Sequence, residues 1–161
     1  MTMETKELTP LHCIYFIYKA FATFTDGEET KEEQQVAVNA MYRWTGEDEE
    51  WTRKIMEETW GWIEKNVESD DNAINHMASM VDFLATQEEF DYMKKEYFLM
   101  DIRSIANSDG NFAEAERKWH DMIAHQLGLD LRVSNSNKTD IVSSTQKVER
   151  QPMGFRASWH N

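Results

Sequence analysis

The sequence predicts an all-α protein, a compact bundle of about six helices followed by a polar tail. Three observations carry that prediction. Apolar residues recur at three- and four-residue spacing through most of the first 130 positions. No stretch alternates with period two for long enough to make a strand. One phrase, Asp-Gly with a Glu seven places after the Asp, occurs twice between helical patterns, at Asp26-Gly27 with Glu33 and at Asp109-Gly110 with Glu116.

The first helix is expected from about Pro10 to Phe24, with Leu11, Ile14, Tyr15, Tyr18 and Ala22 repeating at helical spacing. Proline suits a first helical turn, and Thr9 stands where a cap belongs. Asp26-Gly27 breaks the pattern. Thr30-Lys31-Glu32-Glu33 then reads as a capping box opening a second helix, whose buried face is Ala37, Ala40, Met41 and Trp44 and whose stop is Gly46. An acidic turn leads to a third helix with Met56, Trp60, Ile63 and Val67 on one side and Trp51, Ile55 and Trp62 elsewhere. Ser69-Asp70-Asp71-Asn72 ends it and caps a fourth, striped by Ile74, Met77, Ala78, Val81 and Leu84.

Thr86-Gln87-Glu88-Glu89 reads as a second capping box. The fifth helix carries Phe90, Met93, Tyr97 and Met100 on one side and Phe98, Ile102 and Ile105 on the other. Two apolar sides predict a central, widely buried helix. Asp109-Gly110 breaks it. The sixth shows Ala115, Trp119, Met122, Ile123 and Leu127, with Gly128 as its stop.

An offset of 83 residues aligns more than the two Asp-Gly pairs: Tyr15 meets Phe98, Ala22 meets Ile105, Val36 meets Trp119, Ala40 meets Ile123 and Trp44 meets Leu127. Two helix–Asp-Gly–helix units are therefore expected around a pseudo-twofold, flanking a middle pair of helices. Residues 1–131 form the helical domain in this reading. Residues 132–161 form a tail that is polar, turn-rich and expected to be disordered, with only Ile141, Val142, Met153, Phe155 and Trp159 as large apolar exceptions.

Charge divides the chain the same way. Residues 1–130 hold 12 Lys and Arg against 28 Asp and Glu, a net of −16, and residues 131–161 hold 5 against 2, a net of +3. So acidic a body repels phosphate backbones and argues against nucleic acid, while favouring cations or a basic protein surface. Cys13 is the single cysteine, so neither an internal disulfide nor a thiolate zinc site can form, and its apolar neighbours predict a buried, inert thiol. The apolar run Ile14 to Phe24 is short and broken by Lys19, too little for a transmembrane segment. No signal peptide opens the sequence, and a cytoplasmic setting is expected. Asn137-Lys138-Thr139 matches a glycosylation acceptor that such a setting would leave unused.

The repeated phrase has a plain reading. Asp-Gly is a common turn pair, and Glu33 falls where it completes a capping box. Capping leaves the second copy unexplained, because Ala113 replaces Thr30 and cannot cap, which would move the cap to Asn111 and its partner to Glu114. Yet Glu116 keeps the spacing. The sharper reading is a hard-cation site, since carboxylate oxygens suit Ca2+ or Mg2+. A full EF-hand loop is excluded, because Ala22 and Ile105 stand where its first acid would be, and Phe24 and Asn107 at its third position.

The runs Ala22-Thr23-Phe24-Thr25-Asp26-Gly27 with Glu33, and Ile105-Ala106-Asn107-Ser108-Asp109-Gly110 with Glu116, closing on Leu127-Gly128-Leu129, carry a family likeness. Over about residues 8–130 the chain resembles TerB-like domains, the helical family named for tellurite-resistance operons. The resemblance implies a compact acidic domain that binds a divalent cation, with Asp26, Glu33, Asp109 and Glu116 as candidate ligands, and a role in stress-response systems without enzymatic activity. The many Trp and Met residues and the polar tail depart from the family.

Other constellations are weaker. Glu116 with His120 and Asp121 with His125 are spaced four apart and are expected as surface pairs. Thirty acids make chance carboxylate pairs unavoidable, and neither a positioned acid–base pair nor a Cys13–His dyad can be read, so a small hydrolase is disfavoured. Trp44, Trp51, Trp60 and Trp62 are expected mainly in the core. The alternative function is a metal-independent protein-interaction module that uses them as a Trp-rich face.

Overall fold

The computed structural model describes residues 8–24, 30–107 and 114–129. Asp26, Asp109 and the predicted tail at 132–161 lie outside them. The described residues form six helices and no strand: α1 (Pro10–Phe24), α2 (Lys31–Trp44), α3 (Glu49–Asn66), α4 (Asp70–Ala85), α5 (Tyr92–Ala106) and α6 (Glu114–Gln126). None is long and apolar enough to cross a membrane.

Local chemistry sets most helix starts. The side chains of Thr30, Asp48, Ser69 and Asp91 each accept a backbone N–H from the third residue of the helix they precede. The predicted second capping box is corrected here. Thr86 closes α4, its hydroxyl donating to the Phe83 carbonyl at 2.6 Å, and α5 starts only at Tyr92 behind Asp91. Asp91 sits directly before a helical run, whereas Gln87 to Phe90 is closed into a turn by the Phe90 N–H to Gln87 carbonyl bond.

The repeat is visible in the backbone. The starts of α2 and α6, at residues 31 and 114, are separated by the predicted offset. Both units also finish alike, with Gly46 at φ 71° and Gly128 at φ 81°. In each, the N–H two residues past the helix turn reaches back five residues, Glu47 to Tyr42 at 2.8 Å and Leu129 to Ala124 at 2.9 Å. That is the Schellman closure, which needs the left-handed residue glycine supplies. Equivalent residues share environments: Tyr15 and Phe98, Ala22 and Ile105, Ala40 and Ile123, and Trp44 and Leu127 are all buried. The twofold is approximate, since α2 packs on α1, α3 and α5, whereas α6 packs on α5 and α4.

The hub of the bundle is α1, not the predicted α5. Every residue from Pro10 to Ala22 is buried, and α1 packs against α2, α3, α4 and α5. Helix α5 is widely buried as expected, but against α1, α2 and α6. Two stripes are also rotated from expectation. In α3 the buried face is Trp51, Thr52, Ile55, Thr59 and Trp62, while Trp60 is 43% exposed. In α6, Met122 is exposed and Glu116, His120, Ile123, Ala124 and Leu127 face inward. In both helices polar residues share the buried stripe, and counting only apolar residues misplaces it.

Candidate functional site

Glu33 and Glu116 each stand at the third residue of their helix, one repeat apart, and both are buried at 1% and 0% exposure. Glu33 performs the predicted capping. Its N–H donates to Thr30 Oγ1 at 3.0 Å, and its Oε1 accepts from the Thr30 N–H at 2.9 Å. Glu116 occupies the same register in α6. The cap expected at Asn111 lies outside the described residues. The partner Asp of each copy lies outside the described residues. Among the described residues, no three His, Cys, Asp or Glu side chains converge as a metal cluster.

The expected surface pairing of Glu116 with His120 is overturned, since both are fully buried. His120 instead ties α6 to α5. Its Nε2 lies 2.9 Å from Arg103 Nη1, and its Nδ1 lies 2.9 Å from Asp121 Oδ1. Arginine has no acceptor, so Nε2 must accept, and the ring proton sits on Nδ1 and is donated to Asp121. The imidazole is thus held neutral. Burial lowers its pKa, the Arg103 charge adds to that, and the Asp121 bond opposes it. The predicted Asp121–His125 pair does not form in this arrangement. Asp121 turns to His120, and His125 is exposed.

A second buried polar group was not legible in the sequence. Asp101, 2% exposed, sits where α1, α2 and α5 meet. Its Oδ2 accepts from the Tyr18 hydroxyl at 2.5 Å and from Trp44 Nε1 at 2.9 Å, and Arg43 Nη2 lies 3.5 Å from Oδ1. Tyr18 and Asp101 are 83 residues apart, so the pair joins positions that the repeat makes equivalent. The available signal was a lone acid in the apolar stretch between Leu99 and Ile102.

His12 makes a third polar tie. Its Nδ1 accepts from the Thr9 N–H at 3.0 Å and lies 2.8 Å from the Thr9 hydroxyl, while Nε2 donates to Glu58 on α3 at 2.8 Å. Burial is the main cause that lowers its pKa, against the raising effect of Glu58. Burial likewise pushes the Cys13 thiol up to about 12, so it stays protonated and inert, as expected from its neighbours.

The tryptophans do not form an open groove. Trp44, Trp51 and Trp62 are in the core. Trp60 alone of the four reaches the surface, and the Lys19 ammonium lies 4.4 Å from its ring centre. Comparison with known proteins returns no matching family model, no matching curated protein and no matching solved structure.

Proposed function

We propose that this chain is a non-enzymatic, TerB-like helical domain. It holds a divalent cation, Ca2+ or Mg2+, at its Asp-Gly corners and acts as a scaffold or sensor for a protein partner in a cytoplasmic stress-response system. The observation that supports this reading is the pair Glu33 and Glu116. Two carboxylates at the same helical register, one repeat apart, are both carried into the protein interior. Burying a carboxylate is costly unless its charge is stabilised, and one oxygen of Glu33 is engaged as a helix cap.

The donor chemistry fits a hard cation, because both groups offer carboxylate oxygen. Glu33 with Asp26 would hold it at one corner, and Glu116 with Asp109 at the other. Bound there, a cation would neutralise part of a strongly acidic body and stiffen the turn between paired helices. The acidic body disfavours nucleic acid and favours a basic protein surface.

Thermal unfolding in EDTA and in millimolar Ca2+ or Mg2+ tests the reading, on the wild type and on Glu33→Gln with Glu116→Gln. Glutamine keeps an acceptor for the Thr30 N–H and removes the charge. Cation at a hundred times its dissociation constant adds about 2.7 kcal/mol, several degrees for a domain of this size. The rise should vanish in the double variant. A wild type indifferent to both cations, or a rise that survives the substitutions, would sink the proposal.

A further inference from the structure

A hollow of about 110 Å³ lies where the start of α1 meets α3 and α4. Its walls are apolar. Leu8 and Cys13 line one side, Trp62 the second, and Met80 with Phe83 the third. Two polar side chains complete it, His76 and Ser79, both on α4. Ser79 is exposed and Phe83 is 38% exposed, so these two mark the mouth, while Cys13, Trp62 and Met80 are buried and form the floor.

We propose that this hollow is a binding site for a small uncharged aromatic molecule with one hydrogen-bonding group, of the phenol class. Size sets the first limit. A cavity of roughly 150 Å³ accommodates benzene, so a single ring that protrudes slightly at the mouth is the largest rigid group that fits here. Charge sets the second. Among the described residues, no Asp, Glu, Lys or Arg lines this hollow, although the chain carries 47 such residues. By contrast, the larger open hollow between α2 and α3 is lined by Glu49, Glu50 and Arg53, and the one at the end of α5 by Arg103.

The Cys13 thiol stays protonated, so the floor presents no charge either. Wall chemistry sets the third limit. Met80 and Cys13 offer polarisable sulfur to a ring. Trp62 is held edge-on by His76 at 4.9 Å and by Phe16 at 5.6 Å, which fixes the aromatic wall before any ligand arrives. The ring would lie among Trp62, Met80 and Cys13, with its hydroxyl at the mouth within the zone of His76 and Ser79. Neither Glu33 nor Glu116 lines it, and the site does not depend on the cation.

The test is titration of the full chain with phenol and with 1-naphthol, read by tryptophan fluorescence and by saturation-transfer NMR, in EDTA and in Ca2+. Phenol should saturate with a midpoint of about 1 mM, as expected for so few atoms. The midpoint should be unchanged by the cation, and 1-naphthol should bind at least tenfold more weakly. Ser79→Phe, at an exposed position that leaves the core intact, should abolish saturation. Met80→Ala, which enlarges the floor, should reverse the preference toward 1-naphthol. No saturation by phenol up to 10 mM in the wild type would overturn the proposal. So would a phenol midpoint unaltered in Ser79→Phe, or a size preference unaltered in a folded Met80→Ala.

Discussion

Asp101 offers the sharpest test of the fold. It is 2% exposed, and a single oxygen, Oδ2, accepts two buried donors, Tyr18 Oη at 2.5 Å and Trp44 Nε1 at 2.9 Å. Asp101→Ala removes the acceptor that both donors share, while Trp44 Nε1 keeps its second acceptor, the Tyr18 hydroxyl oxygen at 2.9 Å. Losing the acceptor of a buried donor costs roughly 1–3 kcal/mol, so the Tyr18 hydroxyl carries most of the loss. Arg43 also loses a counter-charge at 3.5 Å, but it is 37% exposed and water offsets much of that loss. The expected cost is about 3 kcal/mol, or roughly 9–12 °C in Tm at 3–4 °C per kcal/mol.

Asp101→Asn keeps one acceptor and should cost about half as much. Tyr18→Phe leaves Trp44 bonded to Asp101 and should cost about 1 kcal/mol. Urea unfolding followed by circular dichroism measures all three. The order Asp101→Ala, Asp101→Asn, Tyr18→Phe, from largest loss to smallest, is the prediction. A loss below about 1 kcal/mol for Asp101→Ala, the range of an ordinary surface change, would refute the buried network.

Further outcomes follow from the same structure. His12 and His120 have folded pKa values lowered from 6.5, so the unfolded chain binds more protons; stability is complete above pH 6.5 and falls as pH drops from there toward the folded values, which urea midpoints at pH 7.5, 6 and 5 will show. His120→Asn should flatten part of that slope. Gly128 is at φ +81° with no atom near an added Cβ, so Gly128→Ala should cost about 1–2 kcal/mol from backbone strain alone, measured by the same unfolding curves. Trp44→Ala should cost about 3–5 kcal/mol because its ring is fully buried, whereas Trp60→Ala at 43% exposure should cost under about 1 kcal/mol, apart from the contact with Lys19. Equal losses at the two tryptophans would show that the buried face of the bundle is assigned wrongly.

Much of the architecture was determined by the sequence alone. Thr30 with Glu33 announces the start of α2, and Ser69 that of α4, because a capping side chain acts on backbone only two or three residues away. Gly46 and Gly128 announce two helix ends, because the left-handed residue of a Schellman closure is a local requirement. The offset of 83 predicted a doubled helix–corner–helix unit, and α2 and α6 begin that far apart.

What only the tertiary structure decided concerns residues that act at a distance. Thr86 and Asp91 are both competent caps by local chemistry, and the turn through Phe90, buried in the core, selects Asp91. Helix α1 became the hub because four neighbours enclose it, which no count of its own apolar residues could establish. Glu116, His120 and Asp101 looked like members of a solvated polar population, and their burial follows from which helices meet over them. Sequence periodicity registers apolar side chains, since those must leave water whatever their partners. A buried polar group is stable only beside a specific partner, here Arg103 for His120 and Tyr18 with Trp44 for Asp101. Those partners lie 17 to 83 residues away along the chain, so only the folded arrangement brings them together.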